Sequence, residues 1–404
     1  MLLIKSVRMV DWRRSSITPY DILIEDGRIR KIDSEINLSG VPVIYGAGLT
    51  AIPGMVDAHV HLRQPGYEYK ETVETATRAA AAGGVTALCA MPNVKPCPDS
   101  PENLENVRAF QRNSKIRIIQ SCAINRDLDG ERSDWKELLG SGARFFTNDG
   151  LPVDRVSDMV EILKFSRETG VVVGEHPEAP GMDEKIHNAE AMMICRDIFL
   201  NERIGGNLHI QHVSLAESVR YLEKCRHKNI KFTVETCPHY FCEVEKGLEM
   251  GMYEVYPPLR NEEDRQAIIW ALSTRLISII ASDHAPHSIE DKKLDKPARG
   301  FSGIELLFSL CYNSLVRKAI IDLERLVEFL SLSPSLLLGI EPVCFESGKR
   351  ADIVLFDPDE EWCVEESAMY SKGKNTPFMG SRLKGRIKYT IASGEVIYPF
   401  GELR

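Results

Sequence analysis

The sequence predicts a (β/α)8 barrel carrying a small β-sandwich domain formed by both termini. Three observations predict it. Eight short apolar runs alternate with helical segments through the middle of the chain. Both ends read as alternating strands and turns. Seven of the ten histidines fall at the ends of the predicted strands, the place where a barrel gathers its active site.

The barrel is expected over residues 53–342. Its strands are predicted at 55–60, 85–91, 116–123, 143–147, 171–175, 208–213, 231–236 and 277–282. Between them, "KETVETATRAAAAGG" and "DRVSDMVEILKFSRETG" carry helix formers and end in glycine, a normal helix stop. "LAESVRYLEKCRHKN" reads as another helix. Strands alternating with helices imply a parallel sheet with right-handed crossovers, closed most simply as a barrel. An open doubly wound sheet is the rival, but no glycine-rich nucleotide fingerprint follows the first strand.

The small domain is expected from residues 1–52 together with 343–404. "DILIEDGRIRKID" reads as a hairpin turning at "EDG", and "ADIVLFDPD" and "GRIKYTIASGEVIYP" alternate in the same way. No internal repeat or low-complexity tract is present. The charged stretch "HSIEDKKLDKPARG", 287–300, is expected to be a mobile loop over a site.

The chain has 404 residues, 43% of them hydrophobic, and a formal net charge of -9. That balance argues against a general nucleic-acid or anionic-membrane binder. It leaves room for small acidic substrates, because one arginine in a pocket can hold a carboxylate. The ten cysteines form no CxxC; Cys237 and Cys242 come nearest, and Cys89, Cys122 and Cys311 sit in apolar runs. They read as free thiols in a reducing compartment. The N-terminus lacks a signal-peptide core and no apolar run approaches the ~20 residues of a membrane span. A cytoplasmic location is expected.

The chemistry begins at "MVDAHVHLRQPG", residues 55–66. Side chains two apart on a strand share a face, so His59 and His61 can chelate one ion. Alone, such a pair reads more readily as two satisfied or exposed histidines. The other strand ends change the weighting. Strand four runs into Asn148 and Asp149, strand five into His176, and strand six carries His212. His239 follows strand seven; Asp283, His284 and His287 follow strand eight. His176 and His212 could serve a second ion. Two neighbouring cations repel and need anionic ligands, and Asp149 and Asp283 are the carboxylates at the right ends. Asp283 follows the apolar "LISIIAS", where an unpaired charge is costly and a cation would stabilise it. Otherwise Asp283 reads as a helix cap and Asp149 as part of an "NDG" turn. Asp57 shares a face with His59 and is placed to orient a ligand. His239 reads as packed behind strand seven or as outer support.

"PGMVDAHVHLRQPGYEYKET", "MPN" at 91–93, "TNDG" at 147–150, "HVS" at 212–214 and "SDHAPH" at 282–287 resemble the amidohydrolase superfamily. Within it they are similar to the dihydroorotase family of the shorter bacterial and archaeal kind, over essentially the whole chain. The resemblance implies two divalent metal ions, zinc first among candidates. His59, His61 and Asp283 would hold one, and His176 and His212 the other. Many relatives bridge the ions with a carboxylated lysine at the end of strand four. "GARFFTND" has no lysine, so Asp149 takes the bridge.

The implied reaction is reversible closure of N-carbamoyl-L-aspartate to dihydroorotate in pyrimidine synthesis. The metals activate a bridging water and polarise the amide, and Asp283 moves the proton. Arg63 would hold the substrate carboxylate bidentately, with Asn93 and His287 beside it. Two departures stand out: Tyr256 replaces an asparagine common before "PPLR", and Asn148 replaces an aspartate. Another cyclic amidase (dihydropyrimidinase, hydantoinase or allantoinase) is the alternative activity. A metal-free structural partner of an aspartate transcarbamoylase is the non-enzymatic one. Whether the chain forms a homodimer or associates with such a transcarbamoylase is open at this point.

Overall fold

The structure is a computed structural model that describes residues 1–404 except 17, 180–181, 183–187, 246–250 and 402–404. The excepted residues 17 and 402–404 fall within the ranges expected for the small domain.

Eight parallel strands run Met55–Val60, Val85–Ala90, Arg117–Gln120, Phe145–Phe146, Val172–Glu175, Asn207–Ile210, Phe232–Thr236 and Ile279–Ile280. Continuous ladders join the first three and the last five. Two seams close the ring. At one, Cys122 N donates to Phe145 O (2.9 Å) and Thr147 N to Cys122 O (3.0 Å). At the other, His61 N donates to His284 O (2.8 Å). Every residue of the first two strands is buried. That suits parallel strands covered on both faces and explains why they read as nearly unbroken apolar runs.

All eight expected strands are present, and several are shorter than the sequence suggested. The third stops at Gln120, the fourth is two residues long, and the sixth stops at Ile210. His61, Asp149, His176, His212 and Asp283 therefore stand just beyond the ladders. Helix Val156–Thr169 ends at Gly170, whose φ of 80° is the left-handed stop expected there.

Both termini build one further sheet of nine strands, in which Thr50–Pro53 pairs antiparallel with Ile353–Cys363 from the other end of the chain. Its two layers share the strand Leu2–Asp11. Leu2 to Ile4 ladder with Ile22–Ile24, and Leu3 to Lys5 with Val43–Tyr45. Beyond a register shift after Ile4, Arg8 and Met9 ladder with Thr50 and Ala51. A bulge of this kind lets one strand serve two layers. Leu2, Ile4, Ile22, Ile24, Ile353, Leu355 and Ile391 fill the space between. The "EDG" hairpin turns through Asp26 (φ 50°) and Gly27 (φ 74°), a tight two-residue turn. A Cβ at Gly27 would come within 2.9 Å of Ser393 O, so glycine is needed there twice over.

The expectation of a mobile loop at 287–300 is corrected. Residues Ile289–Lys292 form a short helix capped by Ser288. Lys292 is buried and donates to Glu254 O (2.9 Å), Ala298 O (2.7 Å) and Gly300 O (2.9 Å). All three ammonium protons are used, which pins the segment. The ten cysteines are free. Among the described residues no helix is long and apolar enough to cross a membrane.

Candidate metal centre

The structure gathers the six expected ligands at one mouth of the barrel, with Asp149 at their centre. Its Oδ2 lies 3.2 Å from His59 Nε2 and 3.4 Å from His61 Nε2. Its Oδ1 lies 3.3 Å from His176 Nδ1 and 3.4 Å from His212 Nε2. Each carboxylate oxygen thus faces one imidazole pair. Asp283 Oδ1 stands on the His59/His61 side, 3.6 Å and 3.2 Å from their Nε2 atoms. All six residues are buried.

The second nitrogen of each first-pair histidine is already committed. His59 Nδ1 donates to Glu235 Oε1 (2.9 Å), and His61 Nδ1 to Asn93 Oδ1 (2.9 Å). With those protons placed, both Nε2 atoms turn lone pairs toward carboxylates. His176 Nδ1 and His212 Nε2 face each other at 2.8 Å beside Asp149. Lone pairs aimed at an anion or at each other are unfavourable unless a proton or a cation lies between them. Burial pushes the His59 imidazole down, but Asp149 and Asp283 outweigh it and hold it well above its ordinary value. Burial also resists the charge on Asp149, yet His59, His176 and His212 keep its carboxyl well below the usual range. His176 is pushed down to about 4, by burial and then by His212. The cluster demands positive charge at its centre. Its nitrogen and oxygen donors suit divalent cations, zinc among them.

Three site residues are held in the left-handed backbone region: Arg63 (φ 60°), His212 (φ 36°) and Asp283 (φ 45°). Such conformations cost on the order of 1–3 kcal/mol each and collect at functional sites. They aim these side chains into the mouth where the strand direction alone would not.

Sequence reasoning missed Glu235. Its Oε1 takes His59 Nδ1 and its Oε2 lies 3.3 Å from His209 Nε2, so one buried carboxylate orients two rings. The alternating pattern of strand seven gave no signal for it, because an acid there reads as solvent-facing. Glu235→Gln, which keeps the volume and one acceptor oxygen but removes the charge, is expected to weaken cation affinity by about 10–100-fold, the usual cost of altering the outer partner of a ligand imidazole. Equilibrium dialysis against zinc reads this directly, and unchanged affinity would show that Glu235 only fills space.

Other expected residues resolve as follows. Asp57 Oδ1 accepts from the backbone N of His59 (3.3 Å) and Ser282 (3.0 Å), so it ties strand one to strand eight rather than orienting an imidazole. Asn148 Oδ1 accepts from the backbone N of Asn125 (3.0 Å) and its Nδ2 donates to Asn125 Oδ1 (2.8 Å), which holds the chain beside Asp149. His284 points away, with Nε2 3.5 Å from Glu71. Arg63 and His287 meet, Nη2 to Nε2 at 3.3 Å, and Arg63 Nε donates to Pro286 O (3.3 Å). His287 is also contacted by Lys70 Nζ at 3.1 Å, and its backbone N donates to Asn375 Oδ1 (2.9 Å), neither foreseen. Asn93 reaches the site through His61. Tyr256 lies with its ring 5.0 Å from that of His176 and 4.4 Å below the Arg299 guanidinium.

A family model described as dihydro-orotase-like matches residues 48–193. A dihydroorotase from Bacillus cytotoxicus is 36% identical over 406 residues, covering 95% of this chain and 95% of that protein. One from Bacillus cereus is 36% identical over 405 residues with the same coverage. The chain belongs to the dihydroorotase family. Among solved structures, an L-hydantoinase (dihydropyrimidinase) from Arthrobacter aurescens superposes with a TM-score of 0.90 at 24% identity, covering 100% of this chain and 97% of its own. A dihydropyrimidinase from Brevibacillus agri gives 0.87 at 23%, covering 98% and 94%. At that identity they share the fold with this dihydroorotase-family chain, a barrel with a β-sandwich.

Proposed function

We propose that the protein is a dihydroorotase, interconverting N-carbamoyl-L-aspartate and dihydroorotate with loss or gain of one water, as a step of pyrimidine synthesis. The observation that carries this reading is Arg63. It is buried, 9% exposed, beside Asp283 and the metal cluster, and no carboxylate within ion-pair distance neutralises it among the described residues. A buried guanidinium without an anion is costly. A ring bearing a free carboxylate would supply that anion bidentately. A hydantoin or dihydrouracil ring would not.

His59, His61 and Asp283 would hold one divalent cation, His176 and His212 a second, and Asp149 would bridge them. Zinc is the cation we assign. When bound, such ions lower the pKa of water and polarise an amide carbonyl. The chain supplies the rest. Asp283 enters ionised: burial pushes its carboxyl up, but His59 and His61 bring it below the usual range. In the hydrolytic direction it accepts the proton of the attacking water and returns it to the departing ring nitrogen. In ring closure the same carboxylate removes the ureido proton and passes it to the departing oxygen. Arg63 and His287 hold the ring carboxylate, and Tyr256 forms a flat wall beside His176 where relatives carry asparagine.

Turnover of dihydroorotate, dihydrouracil and allantoin on one metal-counted sample tests the reading. Turnover confined to dihydroorotate is expected. Equal or better turnover of a ring without the carboxylate would favour the cyclic-amidase alternative. Arg63→Ala is expected to raise KM for dihydroorotate by roughly 10–100-fold, the worth of one charged hydrogen-bonded contact, with a smaller change in kcat. An unchanged KM would remove Arg63 from the substrate site.

A further inference from the structure

Beside Asp283 lie two ligand-type side chains, Cys237 and His239, that the reaction does not use. Cys237 directly follows strand seven, and His239 lies two residues further on. One donor atom from each of Cys237, His239 and Asp283 lies within 4.8 Å of the others. Three atoms so spaced fall inside a circle of radius at most about 2.8 Å, against metal bonds of roughly 2.0–2.3 Å. A cation would need shifts of well under an ångström to reach all three. The residues are 0%, 1% and 5% exposed, and His239 Nε2 has no hydrogen-bond partner. Packing fixes the ring: its centroid lies 4.2 Å from that of Tyr240 and 4.9 Å from that of Phe301, the latter edge to face. A buried imidazole nitrogen left unpaired is costly in ordinary packing and is what a ligand position looks like before its ion arrives.

We propose that Cys237, His239 and Asp283 form a third, inhibitory cation site selective for soft divalent metals such as cadmium, or zinc in excess. Thiolate and imidazole ligands select soft cations over magnesium or calcium. Binding breaks the Cys237 S–H bond, forms a sulfur–metal bond and releases one proton to the buffer. Asp283 is common to this trio and to the proposed reaction, so a cation here takes the carboxylate that would otherwise move the substrate's proton. The site stands on the three side chains alone; only its inhibitory effect rests on the proposed role of Asp283.

The test titrates cadmium into the zinc-loaded protein while recording the thiolate-to-cadmium absorption band in the ultraviolet and the turnover of dihydroorotate. Wild-type protein is expected to gain one more thiolate equivalent than Cys237→Ala and to lose at least tenfold in turnover at the same midpoint. Cys237→Ala is expected to keep its basal turnover and zinc content and to resist that inhibition. Cys237→Ser, which preserves volume, is expected to behave likewise if the alanine variant folds poorly. His239→Gln should move the midpoint to higher cadmium. An identical band in wild type and both Cys237 variants would overturn the site, and so would inhibition that persists without the thiol. A Cys237-dependent band with unchanged turnover would leave the site standing and overturn the role given to Asp283.

Discussion

Asp149→Ala is expected to strip the barrel of both cations and to abolish turnover. The carboxylate is shared: Oδ2 serves the His59/His61 side and Oδ1 the His176/His212 side. Removing it leaves a two-imidazole, one-carboxylate set on one side and two bare imidazoles on the other. It also removes the anion that lets two cations sit a few ångströms apart. Metal content after dialysis should fall from about two ions per chain to fewer than one. A second readout follows from linkage, because a ligand bound only by the folded state raises its stability. Chelation should lower the Tm of wild-type protein by several degrees and leave that of Asp149→Ala nearly unmoved. A variant that kept both ions would show that the histidine pairs hold them unaided and that Asp149 is no bridge.

Asp283→Ala is expected to lower kcat by roughly 10²–10⁴-fold, the usual contribution of a positioned acid or base. The folded barrel should persist. Asp283 follows the two-residue strand Ile279–Ile280, which is buried together with Ala281, so the apolar core there does not depend on the carboxylate. The second proposed cation, which Asp149, His176 and His212 would hold, should remain. Metal counting beside kinetics separates the two parts proposed for Asp283, as ligand and as proton carrier. Turnover near wild type with a normal metal content would contradict both.

The residues proposed as metal ligands were legible because two simple periodicities mark them. A two-residue spacing on a strand puts His59 and His61 on one face, and a strand followed at once by a histidine or aspartate marks a barrel mouth. The sequence could not show how the outer contacts close. Glu235 sits within "KFTVET", where an acid in an alternating pattern reads as a solvent-facing position; burial of both faces of that strand makes it a partner for two imidazoles. Asn93 is expected from the resemblance as a substrate contact, and only the fold brings its side-chain oxygen to His61. Asn375 reaches His287 from a segment 88 residues further along the chain, a distance no local pattern spans. The stretch 287–300 looked mobile because it is charged. It is held because the carbonyls that satisfy Lys292 come from Glu254, Ala298 and Gly300, which composition does not reveal. At the small domain the hairpin at Asp26–Gly27 was visible in its turn residues, whereas the pairing of Thr50–Pro53 with Ile353–Cys363 joins opposite ends of the chain.

The most direct measurement of the central claim is an anomalous-difference map from crystals of the zinc-loaded protein. Two peaks are expected roughly 3.5–4 Å apart, the separation of two-metal sites. One should lie against His59, His61 and Asp283 and the other against His176 and His212, with the Asp149 carboxylate between them. A single peak, or two peaks with Asp149 turned away from both, would contradict the central claim.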